Sequence, residues 1–115
     1  MKLPNLEKAI IPREKIADYL LCHTHPDGQP KAAFFARFGD VSEFWETLAE
    51  SLRQHADHDV ARVEDSPFGK RYVVEGIIAA PDGRTPQVRS VWFIRDGEDV
   101  PRFVTAYPLP ERPVP

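Results

Sequence analysis

The chain has a single cysteine, Cys22, so no disulfide can form within it, and its stability has to come from packed side chains in a reducing setting. It also lacks any long hydrophobic run. No stretch approaches the roughly 20 apolar residues that span a bilayer, and the opening Met1-Lys2-Leu3-Pro4-Asn5 has no apolar core of an export signal. The expectation is a cytoplasmic protein with no membrane partner. Excess basic charge is missing too: 15 Lys and Arg stand against 18 Asp and Glu, a formal net charge of −3. The field of the whole molecule therefore does not draw in a polyanion, and any nucleic-acid contact must rest on a local basic cleft. No stacked-aromatic RNA motif and no internal repeat is present.

What is there reads as one domain of 115 residues, 42% hydrophobic and 29% charged, with enough apolar area for a core that needs no staples. The organising stretch runs from Gly69 to Asp96. Residues 71–78 and 87–94 are rich in β-branched and aromatic side chains, and Pro81-Asp82-Gly83-Arg84 between them carries turn chemistry, which predicts a long β-hairpin. Flanking strands are predicted at 59–64 and 102–107. Earlier in the chain the apolar spacing changes to three and four. Pro12 opens a helical pattern through Ile16, Tyr19 and Leu20, and Pro30 opens a second helix over 31–38, closed by Gly39. Asp40 or Ser42 caps a third, whose apolar stripe is Val41, Phe44, Trp45, Leu48 and Leu52 and which frays near His55 to His58. The fold class is therefore α+β, three N-terminal helices packed on one face of a four-stranded antiparallel β-meander. The domain is expected to run over 1–108, with the proline-rich 109–115 as a flexible tail outside the ladder.

Alternation divides the sheet into two faces. Tyr72, Val74, Val88, Trp92, Ile94, Val104 and Ala106 suit burial under the helices; Arg71, Val73, Glu75, Arg89, Val91, Phe93, Phe103, Thr105 and Tyr107 make a second, mixed face. Short loops at Pro81 and Asp96 put Glu75 opposite Arg89 and Arg89 opposite Tyr107, with Thr105 two positions along. A carboxylate, a guanidinium, a phenol and a hydroxyl are then side by side. The same residues also read as an ordinary cross-strand ion pair among strand formers. A second candidate precedes the second helix. Pro26 holds His25 out of helical geometry and Lys31 stands at a helix start whose free N–H groups favour anions, so this span reads either as a phosphate site or as a solvated loop. Cys22, His23 and His25 could join His55 and His58 around a metal, but neither group has a standard ligand spacing, and no metal or cofactor is expected.

The segments His25-Pro26-Asp27-Gly28-Gln29-Pro30-Lys31, Tyr72-Val73-Val74-Glu75-Gly76, Val88-Arg89-Ser90-Val91-Trp92 and Arg102-Phe103-Val104-Thr105-Ala106-Tyr107-Pro108 resemble a bacterial domain of unknown function. That domain occurs alone in small proteins and at the C-terminal end of polymorphic and contact-dependent toxins, and the resemblance spans Lys2 to Pro108. It implies a fold like the barnase, EndoU, colicin and RelE ribonucleases, which work without metal and carry their site on the sheet face away from the helices. By that analogy His25 or Glu75 takes the 2′-hydroxyl proton and the other protonates the leaving 5′-oxygen. Lys31 and Arg89 then stabilise the phosphate, while Thr105 and Tyr107 bond its oxygens. The implied partners are RNA and a small cognate inhibitor protein. A different reading is a non-enzymatic interaction module, a homodimer or one half of a toxin–antitoxin pair, that uses Val91, Phe93 and Phe103 as an exposed apolar patch rimmed by charge.

Overall fold

The computed structural model describes residues 1–109. After a 3₁₀ turn at Leu6–Lys8, helix α1 (Arg13–Lys15) runs directly into a π turn at Ile16–Leu20. Helix α2 spans Gln29–Ala36, and a second 3₁₀ turn at Ser42–Phe44 leads into α3 (Trp45–His55). Strands β1 (Val60–Ser66), β2 (Gly69–Ile77), β3 (Gln87–Arg95) and β4 (Arg102–Pro108) form one antiparallel sheet in the order β1-β2-β3-β4. This is the α+β arrangement that the periodicity predicts.

The helix signals act where they stand, with one displacement. Pro30 sits in the first turn of α2, where a missing N–H leaves no bond unmade, and Gly39 follows that helix at a φ of 99°. Helix α3 starts later than its apolar spacing predicts. Neither Asp40 nor Ser42 caps it, because the 3₁₀ turn intervenes, and the tighter winding takes Val41 and Phe44 out of phase and leaves both exposed. The face that α3 buries is Leu48, Leu52 and His55.

The helix-facing side of the sheet presents Tyr72, Val74, Val88, Trp92 and Ala106 to Ile16, Leu20, Phe35, Leu48 and Leu52. One polar chain crosses this core. Trp92 Nε1–H donates to Ser90 Oγ at 2.9 Å, the Ser90 hydroxyl bonds His55 Nδ1 at 3.0 Å, and His55 Nε2–H donates to the Val88 carbonyl at 2.9 Å. A carbonyl only accepts, so Nε2 carries the proton and Nδ1 receives the Ser90 proton. Burial pushes the His55 imidazole below its ordinary range, and the residue is a neutral core histidine on the buried face of α3. His58 Nε2 lies 3.0 Å from the Ile77 carbonyl, with its ring over Gly76, where an added Cβ would come within 2.5 Å of it. Among the described residues no group of three or more His, Cys, Asp or Glu side chains converges as a metal site.

Strand register follows alternation across β2 and β3 and fails once in β4. Glu75 pairs with Arg89, and Arg89 with Tyr107. Between Val91 opposite Thr105 and Trp92 opposite Phe103, however, β4 contains one extra residue, Val104. Such a bulge reverses which face the following residues take. Phe103, expected on the mixed face, instead turns under the helices, 2% exposed and edge-on to Trp92 at 5.4 Å between centroids. Val91 is buried as well, so the patch of Val91, Phe93 and Phe103 does not exist as an exposed surface. Strand β4 also reaches one residue further than expected, to Pro108 opposite Val88, and Leu109 N–H bonds the Gln87 carbonyl. The rest of the expected tail, 110–115, lies outside the described residues. No described helix is long and apolar enough to cross a membrane.

Candidate functional site

Two side-chain clusters converge on β4. The first is built across the sheet. Arg89 Nε donates to Glu75 Oε2 at 2.8 Å, its Nη2 donates to the same oxygen, and Nη1 reaches the Tyr107 hydroxyl at 3.3 Å. The guanidinium also lies 5.4 Å from the centre of the Tyr107 ring. Antiparallel pairing places these three groups side by side, and the hydrogen bonds that Arg89 donates to Tyr107 and Glu75 raise the pKa of its guanidinium above an already high ordinary range. Because both Arg89 nitrogens meet Oε2, the second oxygen of Glu75 makes no hydrogen bond among the described residues.

The second cluster belongs to the helical layer and meets the sheet at its β4 edge. Lys31 Nζ, in the first turn of α2, donates to the Tyr19 hydroxyl at 2.7 Å and to the Asp27 carbonyl at 3.3 Å. The Tyr19 hydroxyl in turn lies 3.1 Å from Thr105 Oγ1. Burial alone would push the Tyr19 phenol up. Hydrogen bonds from Lys31 and Thr105, with the charges of Lys31 and Lys15, outweigh it and bring the phenol below its ordinary range. Lys15 Nζ stands 5.9 Å and Lys31 Nζ 5.1 Å from the centre of the Tyr19 ring, and among the described residues neither makes a salt bridge. The His25 ring packs edge-on to Tyr19, centroids 5.1 Å apart. Its Nδ1 accepts the backbone N–H groups of Asp27 at 3.0 Å and Gly28 at 3.1 Å, so the proton of the neutral ring sits on Nε2.

Thr105 and Tyr107 are alternate residues on one face of β4, about 7 Å apart at the ordinary strand rise. They link the two clusters through β4, Thr105 bonding Tyr19 and Tyr107 bonding Arg89. The six residues singled out from sequence fall into two hydrogen-bonded sets: Glu75, Arg89 and Tyr107 meet directly, while Lys31 and Thr105 meet only through Tyr19, with His25 against the same ring. The role that analogy assigns to His25 as a base is at odds with its local geometry, since the lone pair a base needs is already occupied. Tyr19 is the residue that sequence reasoning passes over. Its spacing from Ile16 makes it look like core, and the only hint is that a tyrosine on an apolar stripe must place its hydroxyl somewhere. It lies in the π turn, where Leu21 N–H bonds the Ile16 carbonyl at 2.8 Å. Such wide turns recur at functional sites.

A family model described as a domain of unknown function, DUF6883, matches residues 2–110. The chain belongs to the DUF6883 family. No curated protein matches it. Among solved structures, a chain of the contact-dependent growth inhibition toxin–immunity protein complex from Klebsiella pneumoniae 342 aligns with a TM-score of 0.70 and 18% identity, covering 88% of this chain and 100% of that one. At that identity the likeness shows a shared fold, and this DUF6883 chain carries its two clusters on that fold.

Proposed function

We propose that this DUF6883 domain is the effector of a bacterial toxin system and cleaves RNA using its own side chains as acid, base and charge. The observation that carries the reading is the pair of lysines around Tyr19, unneutralised among the described residues, with the Tyr19 hydroxyl bonded to Thr105, two residues along β4 from Tyr107 of the Arg89–Glu75–Tyr107 set. A phosphodiester lying along β4 would meet Lys31 at one end and Arg89 at the other, with the Thr105 and Tyr107 hydroxyls between them. The free oxygen of Glu75 takes the 2′-hydroxyl proton, the 2′-oxygen attacks phosphorus, and a 2′,3′-cyclic phosphate forms as the bond to the 5′-oxygen breaks. Tyr19, its phenol already eased toward ionisation, gives that oxygen a proton. His25 donates Nε2–H to a phosphate oxygen rather than acting as the base. The fold shared with a chain of a toxin–immunity complex supports the toxin setting, and a protein inhibitor is the partner such an effector requires.

The test is incubation of the purified protein with tRNA in EDTA, beside Tyr19→Phe, Lys31→Ala and Arg89→Ala proteins whose folding is verified by circular dichroism. The wild type should produce cyclic-phosphate ends, and each substitution should slow cleavage by about 10²-fold or more. Intact RNA at micromolar protein, or full activity in the three variants, rejects the proposal.

A further inference from the structure

Where the end of α2 meets the turn before α3 and the hairpin loop at Pro81, a pocket of about 130 Å³ opens, lined by Gly39, Asp40, Val41, Phe44, Thr47 and Pro81. Asp40 is 6% exposed. Among the described residues its carboxylate has no hydrogen-bond or ionic partner, yet no buried oxygen is cut off from solvent, and the residue lines the pocket. Burial and the nearby charge of Asp82 push its carboxyl up to about 6. The neighbouring cation is committed elsewhere: Arg84 bridges to Asp82, donates to the Arg37 carbonyl at 2.6 Å and lies 4.4 Å from the centre of the Phe38 ring. A buried carboxylate kept charged at neutral pH without a partner opposes folding, and such groups mark binding sites.

At the rim, Phe44 is 66% and Val41 45% exposed. A carboxylate at the floor of a small cleft, with an aromatic face and apolar walls above it, matches a cation carried on an alkyl stem. The charge meets Asp40, the stem lies along Val41 and Pro81, and the head faces Phe44. We infer that this pocket receives a lysine or arginine side chain of a partner protein. A protein, not a free small cation, is the occupant because Phe44 and Val41 extend apolar surface beyond what a lone charged head covers, in the pattern of an anchor residue ringed by supporting contacts. The net charge of −3 favours a basic partner surface as well. The inference holds whether or not the Tyr19–Arg89 surface cleaves RNA.

Two-dimensional NMR titration at neutral pH with the peptide acetyl-Leu-Arg-Leu-amide tests it, beside the same peptide with norleucine for arginine and butylguanidinium alone. The arginine peptide should give saturable shifts at the Gly39, Val41 and Thr47 amides and bind more tightly than butylguanidinium, while the norleucine peptide gives none. Asp40→Asn should weaken the arginine peptide by at least about tenfold and raise the Tm, and Phe44→Ala, a surface change, should also weaken it. Absent shifts, undiminished binding by Asp40→Asn, or a lowered Tm that marks the carboxylate as structural would each overturn the inference. Butylguanidinium binding as tightly as the peptide would overturn the protein occupant.

Discussion

Replacing Gly28 with alanine tests whether the loop before α2 is seated against the π turn as closely as the candidate site requires. Gly28 has φ −86° and ψ −26°, a backbone conformation open to any residue, so strain plays no part. Space decides the outcome. An ideal Cβ would stand 1.9 Å from the Tyr19 carbonyl oxygen, 2.8 Å from the Tyr19 carbonyl carbon and 3.3 Å from His25 Cβ. Ordinary contact begins near 3.4 Å, so one backbone must withdraw from the other by about 1.5 Å. Overpacking of this kind costs about 1–3 kcal/mol. The same shift is transmitted to the site, because Gly28 N–H bonds His25 Nδ1 and Gly28 C=O accepts Ala32 N–H one residue after Lys31. A catalytic group misplaced by about 1 Å loses about 10²-fold in rate. The comparison is Gly97→Ala, which has nothing within 4 Å but a φ of +85°, and so should cost stability without touching the site. Urea unfolding gives the stability of both proteins, and the aromatic proton shifts of Tyr19 report the site. Gly28→Ala should lose stability and move the Tyr19 resonances, whereas Gly97→Ala should lose stability alone. A Gly28→Ala protein within about 0.5 kcal/mol of wild type, with Tyr19 unchanged, would refute the seating and with it the alignment of Lys31 on Tyr19.

Two further predictions concern the core. The His55 imidazole is held below its ordinary 6.5, so the unfolded chain takes up that proton first; the stability it gives is complete above pH 6.5 and is lost as pH falls below it. Urea unfolding from about pH 7.5 to 5 should show this slope in an Asp40→Asn background, which removes the opposing carboxyl, and a flat profile there would refute the buried neutral assignment. Phe103→Ala should cost about 3–5 kcal/mol and the only partly buried Phe93→Ala clearly less, and equal losses by urea unfolding would place Phe103 on the open face after all.

The legible and illegible parts of this molecule divide by the distance over which adjacency is set. Glu75, Arg89 and Tyr107 can be placed together from the chain alone because strand alternation and turn length determine which side chains stand opposite one another. Phe103 cannot. Its spacing from Thr105 and Tyr107 is the even spacing of one face, and the extra residue at Val104 that breaks the rule leaves no mark in residue type, since valine suits either face. His55 continues the Leu48 and Leu52 spacing and so was open to being read as core. Its partners, Ser90 and the Val88 carbonyl, lie more than 30 residues away on β3 and appear only when α3 is laid on the sheet. Tyr19 belongs to the same class: its helical phase is visible, but the hydroxyl's destination depends on how the π turn meets the β4 edge. The Arg89 cluster is thus a product of register, which local patterns encode. The Tyr19 cluster is a product of tertiary packing, and the close approach at Gly28 illustrates why: an uncommitted glycine in the sequence becomes, once the loop before α2 is seated on the π turn, a residue small enough to lie against the Tyr19 carbonyl.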